Sequence, residues 1–186
     1  GSRLMASIAA AVIWTAGWQV IAQTTQPAAE VPAISPEQQE ALERARIIIG
    51  DTNASPEVRR IGAEDLLRLG FPAATDLAVE LLESNGEHHR QIAVCQAISA
   101  VGSQEPMLLS DRLLEPLLGL LSVPDDTVRR EAALALATFP DGQVATRLGQ
   151  IAASEDAPLA KRLAAVSALG PNLERFSVVR ELIRLL

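Results

Sequence analysis

From Ser35 onward, apolar residues recur every three or four positions, the period of a helix that buries one face. Ala41, Ala45, Ile48 and Ile49 define the first such face. Ser35, Pro36 and Gln38 stand where a cap, a first-turn proline and a capping-box partner belong, and Gly50 is a stop signal. Further faces follow: Leu77, Leu81 and Leu82 over 73–84; Leu114, Leu117, Leu118 and Leu121 over 111–122; Val144, Leu148 and Ile151 over 143–153; Leu173, Phe176, Val179 and Ile183 over 172–186. Pro116 lies inside the third of these and predicts a kink or a late start. Ser103–Ser110 reads as a longer loop between helices.

Between these segments a second kind of helix repeats, at 55–70, 87–102, 124–140 and 156–171. Its copies share one grammar. A capping residue comes first: Ser55, Asp125 or Asp126, and Asp156. A basic pair follows. Small residues then occupy the middle, at Gly62–Ala63, Ala132–Ala133 and Ala164–Ala165, where a missing side chain lets a neighbouring helix come close. A Gly or Pro closes the copy. Arg59, Arg90, Arg129 and Lys161 align at steps of 31, 39 and 32 residues. Periods of that size predict stacked helical hairpins, each covering its neighbour's apolar face.

Asp126, Val128, Arg129, Ala132, Ala133 and Leu136 trace an acidic cap, Val-Arg, a small pair and a leucine. Val58, Arg59, Ala63, Leu69 and Gly70 repeat that pattern, as do Lys161, Ala164, Ala165, Leu169 and Gly170. The 87–102 copy departs from it at His89. The pattern resembles HEAT repeats, in particular the short HEAT-like kind of the phycobilisome lyases. The resemblance implies an all-α fold over 36–186, an α-solenoid of about four stacked hairpins plus one N-terminal helix. It also implies that the aligned positions Arg59, Arg90, Arg129 and Lys161 are structural, linking adjacent hairpins. Such arrays serve many roles, so the resemblance bears on fold far more than on activity. The apolar ending Glu181–Leu186 lacks the polar face of a terminal repeat, which predicts that the array continues or pairs with a second copy there.

The first part of the chain reads differently. Residues 4–22 carry no charge and are rich in Ala, Ile and Val behind Arg3. They read as a signal peptide cut after Ala22, with an uncleaved membrane anchor or a buried helix as the alternatives. Residues 23–35 read as a flexible Pro/Thr/Ala linker. The expected location is therefore the exported side of a bacterial envelope, free in the periplasm or tethered through residues 4–22.

Composition narrows the function. The 186 residues carry 16 Lys and Arg against 23 Asp and Glu, a net charge of −7, which speaks against nucleic acid as a partner. Aromatic residues make up 3%, too few for a ring-lined cofactor pocket, and a single cysteine allows no intrachain disulfide. His88 and His89 are adjacent and so point to different sides of a helix, a poor arrangement for a metal. Cys95 lies among Ile92, Ala97 and Ile98 and reads as a small core residue. Acid pairs such as Glu64–Asp65 read as solvating charge.

Asp76, Glu80 and Glu83 share one face of their helix, and Glu115, Arg147 and Gln150 continue that polar stripe across the next hairpins. These six residues are the candidate protein-binding face. The reading is a non-catalytic scaffold that binds a protein, with no cofactor, metal or catalytic residue assigned. The alternative is an accessory or lyase-type enzyme, motivated by the resemblance alone.

Overall fold

Eight α-helices and no strand make up the described part of the chain, residues 34–140 and 142–170 of a computed structural model. The helices are α1 (Pro36–Gly50), α2 (Pro56–Arg68), α3 (Pro72–Glu83), α4 (His88–Gln104), α5 (Leu114–Leu120), α6 (Asp126–Thr138), α7 (Gly142–Ala153) and α8 (Leu159–Leu169). Two 3-10 turns, Pro106–Leu108 and Asp111–Leu113, lie between α4 and α5. The leader, the linker before Ile34 and the segment 172–186 fall outside the described residues. None of the described helices is long and apolar enough to cross a membrane.

Local chemistry sets most helix starts. At α1 the Gln38 N–H donates to Ser35 Oγ at 3.2 Å while the Ser35 N–H donates to Gln38 Oε1 at 2.9 Å, a complete capping box. Ser55 caps α2 by accepting from the Val58 N–H at 3.3 Å. Asp125, not Asp126, caps α6, its Oδ1 accepting from the N–H groups of Thr127 (2.8 Å) and Val128 (2.9 Å). Prolines open α1, α2 and α3, where no N–H is needed. Gly70 and Gly86, with φ of 68° and 80°, turn the chain after α2 and α3 in the left-handed region that glycine enters without strain.

Four local expectations are corrected. Asp156 does not cap: α8 begins after Pro158 with no side-chain cap. The helix expected over 111–122 is a 3-10 turn followed by the short α5, so Pro116 falls in its first turn, where a proline is tolerated. The loop expected from Ser103 starts later, because α4 runs to Gln104 and the segment then folds into the Pro106–Leu108 turn. Gly102 does not end its helix. A Cβ there would run into Thr138 Oγ1 and sit 2.7 Å from Leu109 Cδ1, so its missing side chain makes room for the end of α6 and for Leu109. Gly62 plays the same part between α2 and α1, with Ile48 Cγ2 only 2.6 Å from where its Cβ would be.

The helices pack in a regular order. Each even-numbered helix lies against the odd-numbered helix before it: α2 on α1, α4 on α3, α6 on α5, α8 on α7. The even-numbered helices also touch in series, α2 on α4, α4 on α6 and α6 on α8. The core lies between them. Ile49, Leu82, Val94, Ile98, Val101, Leu117, Leu121, Val128 and Ala165 are fully enclosed. Of the apolar faces expected from periodicity, Ala45, Ile49, Leu77, Leu81, Leu82, Leu114, Leu117, Leu118, Leu121, Val144 and Leu148 lie in this core, while Ala41, Ile48 and Ile151 are half-buried. The described residues belong to a single compact unit.

Candidate functional site

The first functional question is what the basic pairs do. Arg59, the fourth residue of α2, donates through Nη1 to the carbonyls of Asp51 (3.1 Å) and Ala54. Arg129, the fourth residue of α6, donates through Nη1 to Val123 O (2.6 Å) and Pro124 O (2.8 Å) and also pairs with Asp126. In α8 the fourth residue is Arg162, whose Nε donates to Ala152 O at 3.2 Å. In α4 it is Gln91, whose Nε2 donates to Leu82 O (3.0 Å) and Ser84 O (3.1 Å).

Each of these side chains satisfies carbonyls at or just past the end of the preceding helix, which have no helical N–H beyond them. The register is therefore Arg59, Gln91, Arg129 and Arg162. Arg90 and Lys161, the residues aligned from sequence, sit one position earlier. Arg90 instead pairs with Glu87 at 3.3 Å and lies against Gly50, while Lys161 has no ion pair among the described residues. Gln91 is 4% exposed, and a neutral amide serves there without the cost of burying a charge. Arg162→Ala is expected to cost about 1 kcal/mol, and Lys161→Ala to stay within about 0.5 kcal/mol of the parent. Urea unfolding of the two variants checks the register; equal losses in both would refute it.

The polar stripe is built on the odd-numbered helices. Its carboxylates are largely not bare. Both oxygens of Glu80 accept from Arg46 of α1, at 2.6 and 2.7 Å, and this paired hydrogen bond holds the Glu80 carboxyl below its usual range. Asp76 pairs with Arg112 of the Asp111–Leu113 turn. Glu115 of α5 pairs with Arg147 of α7. Glu83 is exposed, with no ion pair among the described residues. The stripe expected as acidic is thus a ladder of cross-helix pairs that ties α1 to α3, α3 to the turn before α5, and α5 to α7. Each pair is solvent-exposed and worth less than about 1 kcal/mol, so the ladder sets charge pattern more than stability.

Three of the six candidate residues converge. Glu115, Arg147 and Gln150 line one open pocket of about 510 Å³ between α5, α7 and the start of α8. Leu118, Gly119, Ile151 and Ala157 form its apolar part, and Ser154 and Lys161 complete its lining. Asp76, Glu80 and Glu83 do not line it. Sequence reasoning placed Lys161 in a structural role and so missed it as a pocket residue.

Cys95 is fully buried, and burial raises its thiol far above the usual range, which keeps it from forming a thiolate. His88 Nδ1 stands 3.2 Å from Asp125 Oδ2, tying the start of α4 to the cap of α6. The Val128 N–H foremost, with the Thr127 N–H and His88 adding, holds the Asp125 carboxyl below its usual value. Glu64, expected as solvating charge, is buried between Arg60 and Arg68. No group of side chains suited to holding a metal occurs among the described residues. No protein-family model matches the chain, and no curated protein is similar to it in sequence.

Proposed function

We propose that this chain is a non-catalytic scaffold, an α-solenoid of HEAT-like hairpins that presents its odd-numbered helices to a protein partner. The observation that carries this reading is the convergence of Glu115, Arg147 and Gln150 on one open pocket. A polar, partly apolar concavity on a surface of regularly spaced helices suits an extended segment of another protein, because successive helices offer successive contacts along its length. The ordered pairs Arg46–Glu80, Asp76–Arg112 and Glu115–Arg147 support it further, since they hold long side chains in place before a partner arrives. The charge-free segment 4–22 supports an exported or membrane-tethered setting for the scaffold.

The test is site-specific photocross-linking in the full chain. A photoreactive residue at Gln150 reports on the pocket, and one at Leu134, exposed on α6, reports on the even-numbered helices. The expected result is a discrete adduct from position 150 that an Arg147→Glu change removes while the helical content stays intact. Adducts from position 134 alone, or from neither position, would overturn the proposal.

A further inference from the structure

Nearly every cation among the described residues is already committed. Arg44, Arg46, Arg60, Arg68, Arg90, Arg112, Arg129, Arg130 and Arg147 each pair with a carboxylate. Arg59 and Arg162 cap backbone carbonyls. Lys161 is the exception: it has neither an ion pair nor a hydrogen bond from its side chain among the described residues. It is half-buried, and it lines the same pocket as Arg147, Gln150 and Ser154. Glu155 and Asp156, in the turn just before it, are exposed and do not line that pocket.

The position of Lys161 follows from the register of the caps. Arg162 turns back to Ala152 O at the end of α7, and Lys161, about 100° away around α8, lines the pocket instead. The pocket therefore holds two cations against the single carboxylate of Glu115, in a chain whose net charge is −7. Its other polar members, Gln150 and Ser154, both offer donors. Two cations, two neutral donors and a small apolar floor match a carboxylate carried on a short aliphatic stem.

We propose that this pocket receives the side-chain carboxylate of a glutamate or aspartate from an acidic segment of a protein partner, with Lys161 as its main counter-charge. The inference rests on the scaffold reading and deepens it by naming the chemistry of the contact. The donors are side chains spread along an open concavity, so an extended segment can run through it. Capture of a terminal carboxylate more commonly uses a nest of backbone N–H groups. Glu115 acts as a gate on the second cation. It holds Arg147 while the pocket is empty, and the incoming carboxylate competes for that guanidinium. The unpaired charge of Lys161, in a chain of net charge −7, favours an acidic segment at this pocket and so helps to set its register.

The experiment is fluorescence polarisation of the full chain with labelled dodecapeptides of alternating Glu and Ala, or alternating Gln and Ala, all amidated at the C-terminus. The Glu peptide is expected to bind at least about tenfold more tightly than the Gln peptide. Lys161→Glu is expected to abolish that preference, Lys161→Arg to keep it, and Glu115→Gln to strengthen it several-fold by freeing Arg147. Circular dichroism confirms that each variant stays folded. Equal binding of the two peptides, or a preference that survives Lys161→Glu, overturns the carboxylate assignment. A position-150 cross-link that persists alongside that result leaves the scaffold reading standing, and loss of both removes it.

Discussion

Leu117→Ala is expected to lower the unfolding free energy by about 2–5 kcal/mol. Leu117 is completely enclosed at the centre of α5, with Leu113 and Leu121 enclosed on either side of it. α5 is only seven residues long and begins under a proline, so little of its stability is its own. It is held by α3 and α6, which it contacts through this leucine face. Truncation removes buried methyl groups and leaves a cavity that these fixed neighbours cannot close, which places the cost in the upper part of the range. Met107, 91% exposed in the turn before α5, is the control, and Met107→Ala is expected to change stability by less than about 0.5 kcal/mol. Urea titration followed by circular dichroism gives both numbers. An unchanged midpoint for Leu117→Ala would mean that α5 is not packed as described.

Gln91→Ala is the second large effect, expected at about 2–3 kcal/mol. Its amide N–H groups donate to Leu82 O and Ser84 O from a side chain that is 4% exposed. Ser84 O also accepts from the Glu87 N–H, so it keeps a partner. Leu82 O is in the last turn of α3, where the helix supplies no donor, and it is left orphaned in a dry place. Gln91→Leu separates the two contributions. It restores most of the volume but none of the donors, so it is expected to recover only the cavity part of the loss. If Gln91→Leu were as stable as the parent, packing alone would explain the site and the capping role would fall. Substituting Arg, the residue used in the other three copies, is expected to destabilise as well, because a charged guanidinium would have to be placed at a site that is 4% exposed.

The helix starts and apolar faces were readable from the chain because their causes are local. Ser35 with Gln38, and Ser55 with Pro56, specify where a helix begins within four residues. A spacing of three and four picks out one face whatever that face later meets, and so Leu77, Leu81, Leu117 and Leu148 were visible as core. Local reading failed where an equally local alternative competed. Asp156 has the chemistry of a cap, but Pro158 sets the start of α8 two residues later. Gly102 looked like a stop, yet its bare Cα serves the close approach of Thr138 and Leu109.

The candidate face was legible in its membership and not in its electrostatics. Asp76, Glu80 and Glu115 were recognisable as polar positions on exposed faces. Their partners, Arg112, Arg46 and Arg147, lie about one repeat away in sequence, and nothing local announces which basic residue will meet which acid. Thus the chain by itself determined the helices, their faces and the repeating order of small and basic residues, all of which depend on neighbours within about one helical turn. Only the tertiary structure decided that Gln91 and Arg162, not Arg90 and Lys161, cap the preceding helices, because the carbonyls they serve belong to another helix. That same choice left Lys161 turned into the pocket beside Arg147, a consequence of helix rotation that a one-residue shift in alignment conceals.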